Sequence, residues 1–173
     1  YYKRWAENWE FQALLKARPI AGSAQLGARY ARAIDPFVWE SAGRESFVES
    51  VQAMRARVTD NIPPAQVEQQ IKLGPGGLRD IEITVQLLQL VHGRTDPAVR
   101  TKSTVDSLAA LTAVSYISRT DAEAFSRDYK KLRVLEHRIQ LQQLRRAHLI
   151  PEKHAAQRAL DRSILSPDRN GTL

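Results

Sequence analysis

The residues best suited to chemistry in this sequence surround a glycine-rich stretch at residues 71–82, which reads IKLGPGGLRDIE. Lys72 and Arg79 flank the turn, and Asp80 and Glu82 lie at its end. Glycines allow backbone angles that are closed to other residues, and the apolar residues that follow at helical spacing predict a helix. The N–H groups at such a helix start attract phosphate or carboxylate. The stretch therefore favours an anion-binding loop with free backbone N–H groups.

A structural interpretation explains the same residues. Asp80 and Glu82 would complement the positive end of the helix dipole, and Arg79 would pair with Glu82 or Glu123. The glycines would let the loop cross other helices closely. In the functional interpretation, Lys72 and Arg79 hold an anion with the loop N–H groups, and one of the two nearby carboxylates orients the arginine. The residues themselves leave both interpretations open.

The composition bounds the class of protein. The chain has 173 residues, enough to bury a core without disulfides or metals. It has no cysteine, which excludes disulfides, thiolate metal sites and a cysteine nucleophile. A net charge of +7 favours acidic partners, such as nucleotides, nucleic acid or an acidic protein. Neither a long apolar run nor a secretory signal is present, so we expect a cytoplasmic protein that does not contact membranes.

Apolar residues recur at helical spacing along most of the chain, whereas alternation typical of strands is absent over any useful length. We predict an all-α fold, a bundle of about six to eight helices in which the glycine-rich loop leads into a buried central helix. The helical domain is predicted to cover residues 1–165, with a flexible tail at 166–173. The main predicted helices cover residues 1–18, 24–34, 37–39, 47–58, 78–92, 104–112, 121–148 and 155–164.

Local signals set several of the predicted helix ends. Ser103 and Thr120 each precede an acidic residue by three positions, which is the spacing of a capping box. Gly22-Ser23 offers a turn and an N-cap, and Asp35-Pro36 predicts a second helix start soon afterwards. Gly93 is placed to end the central helix in a left-handed cap.

The first predicted helix carries an aromatic stripe that includes Trp5 and Trp9. Aromatic side chains bury large areas, so we expect these tryptophans to anchor a core or an interface. Base stacking is the alternative. The abrupt aromatic start also suggests a fragment cut from a longer chain.

The longest predicted helix is rich in cations. A solvated face explains them, and so does a docking surface for an acidic protein or for nucleic acid. Glu136, in the same helix, is expected to pair with one of three cations within a buried network. The cations are Arg127, Lys130, Lys131, Arg133, Arg138, Arg145 and Arg146, and the expected partners of Glu136 are Lys131, Arg133 and Arg138.

Four stretches together resemble glutamine synthetase adenylyltransferase. They are YY at residues 1–2, WEFQALLKARPIAG at 9–22, the glycine-rich loop at 71–82, and LEHRIQ at 135–140. In that family, each half of the enzyme resembles a DNA-polymerase-β-type nucleotidyltransferase core followed by a helical domain similar to that of PII uridylyltransferases. This chain resembles one such helical domain. The loop and the PFVW motif at 36–39 look more like the N-terminal, adenylyl-removing half.

The resemblance implies covalent control of nitrogen assimilation. Such an enzyme attaches AMP from ATP to glutamine synthetase and removes it by phosphorolysis, releasing ADP, and glutamine and the PII signal protein bias the two activities. Its Mg²⁺ ligands are paired acids of the nucleotidyltransferase core, which in the family precedes the Tyr1-Tyr2 start. We therefore expect no catalytic residue, no metal site and no tightly bound cofactor in this chain, and no activity from the isolated chain.

The implied role of the chain is to brace the nucleotidyltransferase core of the same polypeptide and to contact nucleotide phosphates. A regulatory docking module for PII or glutamine synthetase is the alternative, and a basic nucleic-acid-binding domain is the third possibility. The candidate phosphate contacts are Lys16, Arg18, Lys72, Gly74, Gly76, Gly77 and Arg79, with Asp80 and Glu82 as candidate orienting residues.

Overall fold

The computed structural model describes residues 1–165, and the tail predicted at residues 166–173 lies outside them. Within the described residues the structure contains α-helices, short 3₁₀ turns and one isolated bridge that pairs Gln70 with Leu149, without any strand. The prediction of an all-α fold is confirmed. The helices are α1 (Asn8–Leu14), α2 (Ala24–Glu40), α3 (Phe47–Asp60), α4 (Leu78–Gly93), α5 (Thr104–Ala113), α6 (Arg119–Gln143) and α7 (His154–Leu165).

The chain divides into two compact units. The first unit contains Tyr1–Arg57 and Glu82–Phe125, and the second contains Val58–Ile81 and the described residues from Ser126 onward. Helices α3, α4 and α6 each contribute residues to both units. No helix in the described part of the chain combines the length and apolar character needed to cross a membrane.

Helix α4 is the buried helix that the sequence predicts. Leu78, Ile81, Val85 and Leu90 are all buried, and only Thr84 and Val91 of this helix are exposed. The predicted left-handed cap at Gly93 is wrong, because such a cap needs a positive φ angle. Among the described glycines, positive φ angles occur at Gly22 and Gly76. A Cβ atom on Gly93 would instead lie 2.7 Å from Cζ3 of Trp39. This glycine therefore allows the indole ring to pack against the end of α4.

The core of the first unit explains why α2 continues through its proline. The predicted break at Asp35-Pro36 is wrong, since α2 is one helix with Pro36 inside it. An interior proline costs about 3 kcal/mol, but Ile34, Val38 and Trp39 on either side of it are buried. Burial on one continuous face outweighs the lost backbone hydrogen bond. The predicted N-cap is confirmed, because Leu26 donates its N–H to Oγ of Ser23 at 3.3 Å.

The first helix is shorter than predicted. A capping box between Glu7 and Glu10 begins α1 at Asn8, so the preceding residues form a turn. Phe11 and Leu15 are buried, whereas the side chains of Trp5 and Trp9 are 72% and 54% exposed. Of the two predicted roles of the tryptophans, anchoring this core is wrong, because the helix starts late and buries Phe11 and Leu15 instead. Their role in an interface stays a prediction.

Helix α6 differs from its prediction at both ends. Its N-terminal cap is Ser118, whose Oγ accepts the N–H of Asp121 at 3.0 Å, and not the predicted Thr120. The helix ends at Gln143 instead of near His148, and Leu144 then adopts a left-handed conformation with φ of 49°. The chain turns back because of pairing with a distant segment: the N–H of Ile71 donates to the carbonyl of His148, and the N–H of Ile150 donates to that of Gln69, at 3.1 and 3.0 Å.

The other predicted helix features agree with the structure. Ser103 caps α5 by accepting the N–H of Asp106 at 3.4 Å. Helix α7 is present, with Leu160 buried against Ile71 and Ile139 in the core of the second unit. This small core lies directly beneath the start of the glycine-rich loop, because Ile71 belongs to both.

Candidate functional site

The glycine-rich loop folds back on itself within the second unit, and its backbone donors are used by the chain. The N–H of Gly76 donates to Oδ2 of Asp80 at 2.7 Å. The prediction of free N–H groups at this helix start is therefore wrong. The N–H groups of Gly74, Gly77, Leu78, Arg79 and Asp80 donate to the carbonyls of Gln70, Gly74, Ile71, Lys72 and Gly77, respectively, at 3.0 to 3.1 Å.

Each loop glycine is required for a physical reason. Gly76 has a φ of +71°, a conformation that side chains disfavour. A Cβ atom on Gly77 would lie 2.7 Å from the carbonyl oxygen of Ile71, and one on Gly74 would collide with the carbonyl oxygen of Gln70. The glycines therefore let the loop pack tightly on the backbone just before it. The loop is thus a closed turn, and the backbone that it approaches is its own preceding segment, not another helix as the structural interpretation predicted.

A buried carboxylate lies beside the loop. Glu136 is 1% exposed, and its Oε1 accepts a hydrogen bond from Nζ of Lys72 at 3.0 Å. Its Oε2 accepts one from Nη1 of Arg133 at 2.7 Å. Nδ1 of His148 lies 3.2 Å from Oε1 but is not aligned for a hydrogen bond. The predicted buried network is confirmed, and of its three expected partners Arg133 contacts Glu136. The other two observed members, Lys72 and His148, come from outside α6.

The network lowers the pKa of both of its weakly ionising groups, the carboxyl group of Glu136 and the imidazole of His148. Burial by itself raises the pKa of Glu136, but the hydrogen bond and charge of Lys72, with the charges of Arg133 and His148, outweigh it and lower that pKa. Burial lowers the pKa of His148, and the charge of Lys72 lowers it further, against a smaller opposing effect of Glu136. Near neutral pH the carboxylate is thus ionised and the imidazole neutral. One carboxylate faces two cations, which leaves the cluster positive.

Acidification is expected to destabilise the chain in two steps. The folded protein protonates His148 less readily than the unfolded chain does, so stability falls as the pH drops below the unfolded histidine pKa of about 6.5. Glu136 has a lowered folded pKa, so its contribution is present above about 4.5 and is lost as the pH falls further. Urea denaturation between about pH 8 and pH 3 measures both steps.

His148→Gln should remove the first step, whereas His154→Gln, at an exposed histidine of α7, should keep it. A wild-type stability that does not change between about pH 7 and pH 5 would contradict the assignment of this step.

Two of the other candidate residues make contact in the first unit. Nζ of Lys16 lies 3.6 Å from Oε1 of Glu82 and donates to Oγ1 of Thr104 at 3.1 Å. Glu82 is thus paired with Lys16, which the sequence did not suggest. Arg18 lines an apolar cavity of about 550 Å³ together with residues of α2, among them Leu26.

The candidate residues therefore form two groups. Lys16, Arg18 and Glu82 belong to the first unit, and the loop residues belong to the second. The contact between Lys72 and Glu136 escaped sequence reasoning because the two residues are 64 positions apart. His148 was missed as well, since it enters the network only where the chain turns back after α6. No residue spacing signals either contact.

The residues near the loop do not suit a magnesium ion. Among residues 1–165 there is no group of three or more histidines or acids arranged to hold a metal ion. The nearby carboxylates already have partners of another kind: Asp80 accepts the N–H of Gly76, and Glu136 accepts from two cations. We therefore derive no metal-dependent step from this chain.

The all-α fold and the closed glycine-rich loop define a helical domain, and comparison with known families gives its class. The family described as GlnD PII-uridylyltransferase matches residues 45–170, and the family described as glutamate-ammonia ligase adenylyltransferase matches residues 1–33. The chain belongs to the family described as GlnD PII-uridylyltransferase, whose match covers more than half of it. The resemblance noted from the sequence is confirmed.

Several relatives carry the name bifunctional glutamine synthetase adenylyltransferase/adenylyl-removing enzyme. The protein from Leifsonia xyli is 62% identical over 163 residues, which is 94% of this chain and 16% of the relative. That from Streptomyces coelicolor is 58% identical over 95% of this chain and 16% of its own length. That from Mycobacterium tuberculosis strain H37Rv is 57% identical over 88% of this chain and 15% of its own length. The chain thus spans about one sixth of these relatives.

Proposed function

We propose that this chain is the helical domain of a cytoplasmic enzyme that attaches AMP to glutamine synthetase and removes it again. The identity of 62% across 94% of the chain, with a relative whose name contains both activities, is the observation that carries the proposal. The enzyme would use Mg²⁺ with ATP, ADP or phosphate at its nucleotidyltransferase core. The loop sequence and the PFVW motif at residues 36–39 favour the adenylyl-removing half.

The share of this chain in that function is to brace the core without supplying catalytic carboxylates. Glu136, which is buried, accepts hydrogen bonds from two cations, and Asp80 accepts one from the loop backbone. Tyr1, Trp5 and Trp9 are 70%, 72% and 54% exposed, an aromatic surface suited to burial against another domain. That surface is the proposed contact with the core.

The glycine-rich loop is proposed to meet the nucleotide phosphates as a rigid, positively charged edge. Lys72 has 18% of its side chain exposed, and its ammonium is fixed by Glu136, so a phosphate would meet a cation that is already oriented. Arg79 follows at the start of α4, where the helix dipole adds to its charge. Gly74, Gly76 and Gly77 then shape the loop, and Lys16 and Arg18 are the proposed contacts from the first unit. PII and glutamine synthetase are the proposed protein partners.

The test uses the full-length enzyme with Arg79→Ala. A lost charge-assisted hydrogen bond to phosphate is worth about 1.5 to 3 kcal/mol, so the rate of phosphorolysis should fall by roughly ten- to a hundredfold. Arg94→Ala is the matched control, because Arg94 is an exposed arginine just beyond α4. Thermal unfolding of both variants shows whether the fold survives.

Unchanged phosphorolysis in a folded Arg79→Ala enzyme would leave this arginine a structural role only. The proposal also requires that the isolated chain neither adenylylates nor deadenylylates glutamine synthetase. Turnover by the pure chain would overturn the view that its catalytic carboxylates lie elsewhere.

A further inference from the structure

Helix α2 has two halves that differ in burial. In its C-terminal half, Ile34, Val38 and Trp39 are buried in the core of the first unit. In its N-terminal half, residues 24–33, no residue is buried, and all except Gly27 are exposed. We call residues 24–33 the uncovered half of α2. Because helices in proteins owe most of their stability to the packing of an apolar face, this half lacks the neighbour that such a helix normally has among the described residues.

The uncovered half of α2 forms one wall of an apolar cavity. The segment before the helix packs closely on it, because a Cβ atom on Gly27 would lie 2.6 Å from Cγ of Pro19. The cavity between them has a volume of about 550 Å³, and most of its lining residues are apolar or small. Leu26 and Tyr30 line it and are 64% and 48% exposed. The cavity is therefore a preformed site for apolar groups from outside the described chain.

The cavity adjoins the aromatic surface at the start of the chain. Tyr2 connects the two, because its ring lies 5.3 Å from that of Tyr1, and hydrogen bonding to Tyr30 raises the pKa of Tyr2. Among residues 1–165, six of the eleven large apolar side chains that are exposed lie within the first 30 residues. Exposed apolar groups are thus concentrated here, which is typical of a surface that another polypeptide segment covers.

The family matches divide the chain where burial divides α2. The match to the family described as glutamate-ammonia ligase adenylyltransferase covers residues 1–33, and Ile34 is the first buried residue of α2. A stretch of this length is too short to bury a core by itself, so it is one part of a larger folded unit. Phe11 and Leu15 of the match are buried within this chain, whereas the uncovered half of α2 and the aromatic surface are not.

The apolar character of this surface distinguishes between its possible occupants. Interfaces that form and dissociate are about as apolar as ordinary protein surface, whereas permanent interfaces resemble a domain core. A segment of the same polypeptide is always present and gives permanent cover. The match to the Leifsonia xyli relative covers 16% of that protein, so most of such a polypeptide lies outside it. These observations favour an occupant from the same polypeptide over a transient partner.

We propose that the uncovered half of α2 belongs structurally to the nucleotidyltransferase core of the longer enzyme, and that apolar side chains of that core fill the cavity. The inference rests on the function proposed above, in which this chain is part of that enzyme. The C-terminal half of α2 packs in the helical domain at the same time, so one continuous helix is shared by two domains. Arg18, which lines the cavity, then lies at the interface between them.

The test compares the accessibility of an introduced cysteine in the 173-residue chain and in the full-length enzyme. Because the chain has no cysteine, Leu26→Cys places its only thiol in the cavity wall. Alkylation by iodoacetamide, read by mass spectrometry of the peptide that contains the new cysteine, should be roughly tenfold or more slower in the full-length enzyme. The physical reason is that a thiol beneath a domain interface reacts only when the interface opens.

Leu141→Cys is the matched control. Leu141 is 63% exposed, against 64% for Leu26, and it lies on α6 in the second unit. Its cysteine variant should react at the same rate in the isolated chain and in the full-length enzyme. Circular dichroism of each variant checks that it is folded.

Protection at position 26 alone in the full-length enzyme supports the proposal. Equal rates at position 26 in the two proteins would overturn it, and so would equal slowing at both positions, which would show general shielding by the larger protein.

Two further outcomes would assign the surface to another occupant and overturn the proposal. Protection of the isolated chain at about 100 μM but not at about 1 μM would indicate a second copy of the chain. Protection of the full-length enzyme only after glutamine synthetase is added would indicate a transient partner. None of these results decides the function proposed above, which phosphorolysis in the full-length enzyme tests separately.

Discussion

Replacing Glu136 with alanine is expected to lower the free energy of unfolding by about 3 kcal/mol. The carboxylate is 1% exposed, and its loss leaves Lys72 and Arg133 without their buried partner. Removing one member of a buried ion pair costs about 3 to 5 kcal/mol. We expect the lower end of that range, because the side chain of Arg133 is 38% exposed and can regain water. Urea denaturation at neutral pH measures the effect.

Asp128→Ala provides a matched control on the same helix. Asp128 also pairs with an arginine, but the two side chains are 52% and 59% exposed, so its loss should change stability by less than about 1 kcal/mol. Adding Lys72→Met to Glu136→Ala should recover part of the stability, because the ammonium left unpaired is then removed. A Glu136→Ala variant as stable as Asp128→Ala would contradict the buried network.

Alanine at Gly77 or Gly74 is expected to destabilise the chain by about 3 kcal/mol, more than alanine at Gly76. At the first two positions the new methyl group would meet backbone carbonyl oxygens, which cannot move aside as a side chain can. Gly76 has a φ of +71° with open space around it. Alanine there should lower the free energy of unfolding only by the cost of the left-handed conformation, about 1 to 2 kcal/mol. The midpoints of urea denaturation give the order of the three variants.

Gly22→Ala is the control for the conformational part of this cost. Gly22 has a φ of +87°, lies in open space like Gly76, and belongs to the other unit. Its alanine variant should lose about as much stability as Gly76→Ala. If Gly77→Ala were no less stable than these two, the close packing of the loop on the carbonyl of Ile71 would be wrong.

These two predictions concern the same structural feature, the attachment of the loop to α6. The glycines allow the loop to close on its own backbone, and Glu136 of α6 accepts a hydrogen bond from Lys72 of the loop. The loop and the LEHRIQ motif at residues 135–140 both contributed to the family resemblance. The hydrogen bond between Lys72 and Glu136 joins these two motifs in the structure. The two motifs build one rigid cluster.

Much of the fold could be predicted from local sequence. The apolar residues on nearly every side of α4 predicted its burial, because such a helix is stable only inside a core. Ser23 and Ser103 predicted helix starts, because their hydroxyl groups bind N–H groups three residues away. The predicted cap at Thr120 is wrong: Ser118, two residues earlier, also precedes an acid by three residues, and it caps α6.

The sequence by itself determined the helical class, the buried helix, the glycine-rich loop and the family, since these depend on residue spacing and on short motifs. Only the tertiary structure decided that the loop N–H groups are occupied, that Lys72 and His148 approach Glu136, and that Trp5 faces outward. Each of these depends on which distant segment packs against the residue. Spacing along the chain fixes a helix face, but contacts between segments far apart in sequence decide what that face meets.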